Sequence, residues 1–194
     1  MTTLALLALL LAQDARLPRE NLLLYPGPDG PAPVRTPEDW AKRRAHIVRG
    51  MEAVMGRMPG DEKRCPLDLQ VEKEDDLGSY VRRLVTYASE PGSRVPAYLL
   101  VPKDALEGRR KAPAALALHG TDNKVGHGVA VGLGPRPNRA YGSELAERGY
   151  VVLAPGYPLL ANYQPDLKAL GWASGTLKAV WDNRRGLDLL SSLP

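Results

Sequence analysis

The sequence predicts an α/β fold in which antiparallel strands lead into a parallel sheet flanked by helices. Between residues 67 and 102, apolar residues alternate with polar ones, a pattern typical of strands with one solvent-facing side. After residue 112, two short apolar runs each precede a helical pattern, as in parallel strands covered on both faces. With 194 residues, 44% of them hydrophobic and 25% charged, the chain has the size and composition of one ordinary domain.

Residues 1–15, "MTTLALLALLLAQDA", have the pattern of a secretory signal peptide. The apolar run from Leu4 to Leu11 is too short for a helix that spans a bilayer. Ala12 or Ala15 offers a small residue for cleavage, although no basic residue precedes the run. The alternative is an apolar N-terminal tail. We therefore expect an exported protein, and its lone cysteine excludes an internal disulfide.

A linker is predicted next, followed by a domain over residues 36–194 that begins with a leading helix. Residues 16–35 are rich in proline and glycine and indicate an extended linker. Residues 36–60 indicate a helix, with Thr36 as the N-cap and Pro37 at the first helical position. The spacing of the apolar residues predicts one apolar face, made of Trp40, Ile47, Met51, Val54 and Met55.

Residues 67–194 are predicted to form the sheet and its helices. "LDLQVEKE" at 67–74 and "YVRRLVTYAS" at 80–89 indicate an antiparallel hairpin. A third strand, "RVPAYLLVP", follows at 94–102 and ends at a proline. These three strands precede the part of the chain in which apolar strands and helices alternate.

That alternating part has the order strand, helix, strand, helix. The strand at 113–118 and the strand at 150–154 are joined through a helix at 139–149. Such crossovers are right-handed, so we expect the two strands to be parallel and in one sheet. A last helix, at 174–193, has Leu177, Val180, Trp181, Leu187 and Leu190 at core spacing.

The pair His119-Gly120 ends the first of these apolar strands. Open α/β sheets bind ligands beyond the carboxyl ends of their strands. A glycine there lets the backbone turn sharply, and the N–H groups behind it can face a developing negative charge. A tight turn alone would also explain the His-Gly pair.

The segments "RVPAYLLVP", "APAALALHGTDNK", "ELAERGYVVLAPGYP" and "GTLKAVWDNRRGLDLLSSLP" occur in this order between residues 94 and 194. Together they resemble the acetyl xylan esterase and dienelactone hydrolase-like branch of the α/β-hydrolase superfamily. The resemblance implies the N-terminal portion of an α/β-hydrolase fold. It also implies serine-dependent hydrolysis of a carboxylic ester, such as an acetylated sugar, without a cofactor.

The resemblance assigns the backbone N–H of Thr121 to the oxyanion hole. Gly120 and the side chain of His119 would then support the loop. It further suggests Asp122 and Tyr157 as substrate-binding residues. One departure from the family is Gly156, which stands where related proteins often have an aspartate.

The residues of a catalytic triad are absent from the sequence. None of its seven serines lies in a G-x-S-x-G motif, and no histidine follows His127. In "GWASG", Ser174 is fourth rather than third and is better explained as the N-cap of the last helix. We therefore expect an N-terminal part that stops before the nucleophile and is inactive by itself.

Other functions are less consistent with the sequence. His119, Asp122 and His127 could bind zinc, but their spacing fits no established metal motif. Cys65 has no identifiable partner base. The net charge of +4 comes from dispersed basic residues, which does not favour nucleic-acid binding.

The expected partner is a small-molecule or carbohydrate ester, with no metal and no stable membrane span. The alternative is a non-catalytic exported binding module that uses the same loops.

Overall fold

The computed structural model describes residues 17–194, which fall into two compact units divided between Arg57 and Met58. The predicted signal peptide at 1–15 lies outside the described residues. No helix in the described part of the chain is both long and apolar enough to cross a bilayer.

The first unit contains a short hairpin and one helix. Strand β1 (Leu24–Gly27) pairs antiparallel with β2 (Gly30–Pro33). The connecting turn ends at Gly30, whose φ of +118° favours glycine. This hairpin lies within the segment that its composition indicates as a linker, and prolines on both strands keep its ladder short because proline donates no hydrogen bond.

Helix α1 (Pro37–Met55) begins as predicted at Thr36. The Thr36 hydroxyl accepts from the Asp39 N–H at 3.2 Å, and the Asp39 carboxylate accepts from the Thr36 N–H, which forms a capping box. The helix ends at Gly56. Its apolar residues are not buried: Trp40 is 47% exposed and Val54 is 86% exposed.

The second unit is built on a five-stranded mixed sheet in the order β3-β4-β5-β7-β6. The antiparallel part comprises β3 (Gln70–Asp76), β4 (Tyr80–Glu90) and β5 (Ser93–Pro102). Strand β7 (Val151–Pro155) pairs antiparallel with β5 and parallel with β6 (Ala114–Leu116). The predicted α/β class and the predicted parallel pair are therefore confirmed.

Helices cover both faces of this sheet. They are α2 (Lys103–Leu106), α3 (Tyr141–Glu147), α4 (Gly175–Ser192) and the 3₁₀ helices Asp61–Lys63 and Gly126–Val131. Successive strand residues point to opposite faces, so Leu99 and Leu100 belong to different apolar clusters. The cluster with Leu99 includes Leu189 of α4, and the cluster with Leu100 includes Ala146 of α3.

Helix α4 begins as predicted at Ser174, whose hydroxyl accepts from the Leu177 N–H at 3.1 Å. Leu177, Trp181 and Leu190 are buried as expected. The expectation for Val180 and Leu187 is wrong, since they are 41% and 52% exposed. These two residues are seven positions apart, so they share the solvent-facing side of the helix.

A buried ionic network joins α4 to the end of β4. The Lys178 ammonium, which is fully buried, lies 2.5 Å from Asp182 Oδ1, 3.1 Å from Glu90 Oε1 and 3.0 Å from Ser89 Oγ. Glu90 also accepts from Lys63 Nζ at 2.7 Å. The four charges balance, and each carboxylate faces at least one ammonium group, which is the condition for burying charge.

Candidate functional site

The candidate site lies where two parallel strands end. His119, Gly120 and Thr121 follow β6, and Gly156 and Tyr157 follow β7. Because β6 and β7 are parallel neighbours, their carboxyl ends meet at one edge of the sheet. This is the edge at which open α/β sheets bind ligands.

The imidazole of His119 ties these two loops together. Its Nδ1 lies 2.8 Å from the Gly120 carbonyl oxygen, and its Nε2 accepts from the Tyr157 N–H at 3.2 Å. These partners fix a neutral ring with the proton on Nδ1. Burial lowers the pKa of His119, which also favours the neutral ring. With both nitrogens engaged, the ring is placed to hold the loop.

The carboxylate of Asp122 shapes the loop that follows. Its Oδ1 accepts from the N–H groups of Lys124, Val125 and Gly126 at 2.9, 2.7 and 3.3 Å. These donors lower the pKa of Asp122, so the group is ionised at neutral pH. Asp122, expected to bind substrate, therefore has one oxygen committed to the backbone.

The backbone N–H groups of Gly120 and Thr121 have no such commitment. Within residues 17–194, neither donates a hydrogen bond, and both residues are solvent-exposed. The hydrogen bonds of the His119 and Asp122 side chains thus hold the loop on both sides of these two N–H groups, which stay available at the carboxyl end of β6. Free backbone donors at a fixed position are what an oxyanion site requires.

The predicted site residues line two different cavities. Gly120, Thr121 and Asp122 line a small one of about 20 Å³, together with Arg136 and Arg139. His119 and Tyr157 line one of about 130 Å³ beside α4. The Tyr157 hydroxyl bonds to Thr176 Oγ1 at 3.2 Å, which fixes its ring against that helix. The loop therefore separates the residues that the sequence groups together.

His127 is buried behind the loop, on the 3₁₀ helix Gly126–Val131, and is only 3% exposed. Its ring centre lies 5.2 Å from that of Tyr98 and 6.4 Å from that of His119. Its Nε2 has no hydrogen-bond partner among the described residues. Burial, and to a lesser extent His119, lower the pKa of His127 to about 4, so the ring is neutral at pH 7.

Metal binding at His119, Asp122 and His127 finds no support in this geometry. Both nitrogens of His119 are already hydrogen-bonded, and one Asp122 oxygen is held by three N–H groups. Across residues 17–194, no group of three or more histidine, cysteine, aspartate or glutamate side chains is arranged to hold a metal ion.

Sequence reasoning missed two site residues, Arg136 and Arg139. Both lie in the loop between the 3₁₀ helix and α3, and both line the small cavity. Their order in the sequence, fifteen or more positions after Thr121, gives no sign of this proximity. The loop returns both arginines to the Gly120–Thr121 segment because it turns at Gly132, whose φ is +79°. Gly134 then packs closely against Val129.

Comparison with known proteins places the fold. No protein-family model matches the chain, and no curated protein sequence matches it. A crystal structure of a candidate acetyl xylan esterase from Bacteroides fragilis superposes with a TM-score of 0.59 at 17% identity. The match covers 99% of this chain and 51% of that one. The two proteins share a fold. This chain spans about half the length of its structural relative.

Two further esterase structures match more weakly. Acetyl Xylan Esterase 1 from Thermoanaerobacterium sp. gives a TM-score of 0.38 at 17% identity, covering 55% of this chain and 30% of its own. A promiscuous CE15 esterase from a marine bacterial metagenome gives 0.43 at 16% identity, covering 74% and 41%. The fold assignment rests on the Bacteroides fragilis structure.

Proposed function

We propose that this chain is the N-terminal part of a serine-dependent carboxylic-ester hydrolase of the α/β-hydrolase superfamily. Its substrate would be an acetyl ester or a related ester, such as an acetylated sugar. The observation that carries the proposal is the fold match over 99% of the chain to a candidate acetyl xylan esterase. The free N–H groups at the end of β6 supply the matching chemistry.

In this proposal the Thr121 N–H stabilises the oxyanion of the tetrahedral intermediate. One such donor is worth about 10²–10³ in rate. Gly120 keeps the backbone accessible, and His119 holds the loop through the Gly120 carbonyl and the Tyr157 N–H. The free oxygen of Asp122 and the Tyr157 ring would contact the substrate from the two cavities.

The nucleophile, the acid and the base of the triad would come from residues outside these 194. The serine that comes nearest to an elbow motif, Ser174, caps α4. Neither His119 nor His127 has a carboxylate partner among its hydrogen bonds in the described residues. The chain alone is therefore proposed to be inactive.

Hydrolysis of p-nitrophenyl acetate tests this proposal. The 194-residue chain should show no turnover above the rate in buffer. A longer protein that includes the residues encoded after Pro194 should be active if they contain G-x-S-x-G followed by the acid and the histidine of the triad. Turnover by the short chain that is lost in Ser174→Ala would overturn the proposal. A stop codon directly after Pro194 would instead favour the binding module.

We also propose that the protein is exported, on the strength of the apolar run at Leu4–Leu11. Cleavage is expected to leave a mature N-terminus between Gln13 and Leu17. Mass spectrometry of the exported fraction from the native host tests this directly. An intact Met1 in that fraction would contradict cleavage.

A further inference from the structure

Two arginines near the Gly120–Thr121 loop have no carboxylate partner, unlike the other arginines of the second unit. Residues 58–194 contain eleven arginines, and nine of them have a carboxylate oxygen within 4.0 Å. The two without an ion pair in this range are Arg136 and Arg139. Neither side chain makes a hydrogen bond to any other described residue.

Both unpaired arginines line the same cavity, together with the free donors of the loop. One guanidinium nitrogen of Arg139, Nη1, lies 3.7 Å from the point where a side chain on Gly120 would begin. The lining of the cavity therefore includes both arginines and the Gly120–Thr121 segment. Its free volume of about 20 Å³ is enough for a group the size of one or two water molecules.

The acidic residue that lines this cavity, Asp122, forms no ion pair with either arginine. Asp122 directs Oδ1 to three backbone N–H groups of its own loop. Its carboxylate is not within 4.0 Å of either guanidinium, although the charge of Arg136 acts on it at longer range. The cavity is thus lined by two arginines and by one carboxylate, of which one oxygen already accepts three backbone hydrogen bonds.

We infer that the ester taken by this site carries a carboxylate group, which Arg136 and Arg139 bind beside the reacting carbonyl. The inference rests on the proposed function and adds the charge of its substrate. Guanidinium groups bind carboxylates through paired N–H donors of matching geometry. Both arginines are solvent-exposed, so water solvates them in the free chain, and a carboxylate on the ester would give them a charged partner that a neutral acetyl ester does not.

The binding of an acidic sugar to the 194-residue chain tests this inference without any need for turnover. The probe is D-glucuronate, with D-glucose as the uncharged control, at low ionic strength. Amide chemical shifts of Gly120, Thr121 and Asp122 should move with glucuronate and not with glucose. In Arg136→Gln/Arg139→Gln the dissociation constant should rise about five- to tenfold, since each exposed charge pair contributes modestly.

Arg148→Gln is the matched control, because it removes an exposed arginine at the far end of α3. It should bind glucuronate as the unmodified chain does. Equal shifts with glucose, or with inorganic phosphate at the same concentration, would overturn the inference. An unchanged dissociation constant in the double variant would do the same. These outcomes are independent of whether the chain, or a longer one, hydrolyses p-nitrophenyl acetate.

Discussion

Replacing Lys178 with methionine should destabilise the second unit in a strongly pH-dependent way. Lys178 is fully buried and is the one ammonium group within 4.0 Å of Asp182 in the described structure. Methionine fills a similar volume but leaves Asp182 without a counter-ion. Glu90 is less affected, because Lys63 and the Trp172 indole, both at 2.7 Å, still contact it.

The loss of stability in Lys178→Met equals the free energy of the least unfavourable process that neutralises Asp182, which is its protonation. Burial already raises the pKa of Asp182, and in the variant the group would take up a proton. Protonating a carboxyl with an ordinary pKa of ~3.9 at pH 7 costs about 4 kcal/mol, at ~1.4 kcal/mol per pH unit. At pH 5 the same step costs about 1.5 kcal/mol. The first figure lies within the ~3–5 kcal/mol measured for broken buried ion pairs.

Urea denaturation followed by tryptophan fluorescence measures this loss, since Trp172 and Trp181 lie next to the network. The free energy of unfolding of Lys178→Met should fall short of that of the unmodified chain by up to about 4 kcal/mol at pH 7 and up to about 1.5 kcal/mol at pH 5, because the pKa of Asp182 is already raised in the unmodified chain. A variant that fails to fold at pH 7 should therefore fold at pH 5.

The double variant Lys178→Met/Asp182→Asn provides the matched control. It contains no stranded charge, so it should recover most of the stability lost at pH 7 and show no extra pH dependence. A loss in Lys178→Met that is equal at pH 5 and pH 7 would refute the reasoning. So would a double variant as unstable as the single one.

Three further predictions concern other parts of the chain. The pKa of His127 is about 4 in the folded chain and ordinarily ~6.5, so the unfolded state binds more protons between these values. The free energy of unfolding should thus fall as the pH drops from 6.5 to 4, by up to about 3 kcal/mol. Urea denaturation at several pH values measures this fall, and His127→Phe should flatten the dependence of stability on pH. An unchanged dependence in His127→Phe would contradict the assignment. Ser174→Ala should cost about 1 kcal/mol of unfolding free energy, as for a lost N-cap, and a loss below 0.3 kcal/mol would argue against that role. The chain should self-associate through β6, which forms one edge of the sheet in residues 17–194, and the substitution Ala114→Lys at an exposed position of this strand should reduce association in light scattering. A monodisperse unmodified chain at high concentration would contradict that expectation.

The parallel core could be predicted from the sequence because its signals are local. The run Ala114–Leu118 and the run Tyr150–Pro155 contain almost no polar residues, and a glycine-capped helix separates them. Such segments have few ways to bury themselves other than as neighbouring parallel strands. The N-caps Thr36 and Ser174 were predictable for the same reason, since capping depends on residues three positions apart.

Other elements depend on contacts that the sequence does not display. The β1–β2 hairpin consists largely of proline and glycine, whose composition indicates a linker. The 3₁₀ helix Gly126–Val131 begins with Gly-His-Gly, which is typical of a loop, yet all six of its residues are buried. Lys178 is charged and would be expected at the surface, although its spacing of four from Asp182 is a signal for an ion pair.

The candidate site was predictable in part. His119, Gly120 and Thr121 are adjacent in sequence and stand at a strand end, so their location follows from the strand itself. The division of the site into two cavities does not follow from the strand, because it depends on the side of the loop on which each side chain lies. Arg136 and Arg139 reach Gly120 only through the path of a glycine-containing loop.

The most direct test of the oxyanion-hole assignment uses a catalytically active form of the protein that includes the residues encoded after Pro194. The test removes the Thr121 N–H from this longer protein. Thr121→Pro deletes the donor, Thr121→Ala keeps it, and Asn123→Pro places the same ring two residues later. We predict that kcat for p-nitrophenyl acetate falls about 10²–10³-fold in Thr121→Pro alone, with an unchanged melting temperature. Equal kcat values in Thr121→Pro and Thr121→Ala would contradict the assignment of this loop to the oxyanion hole.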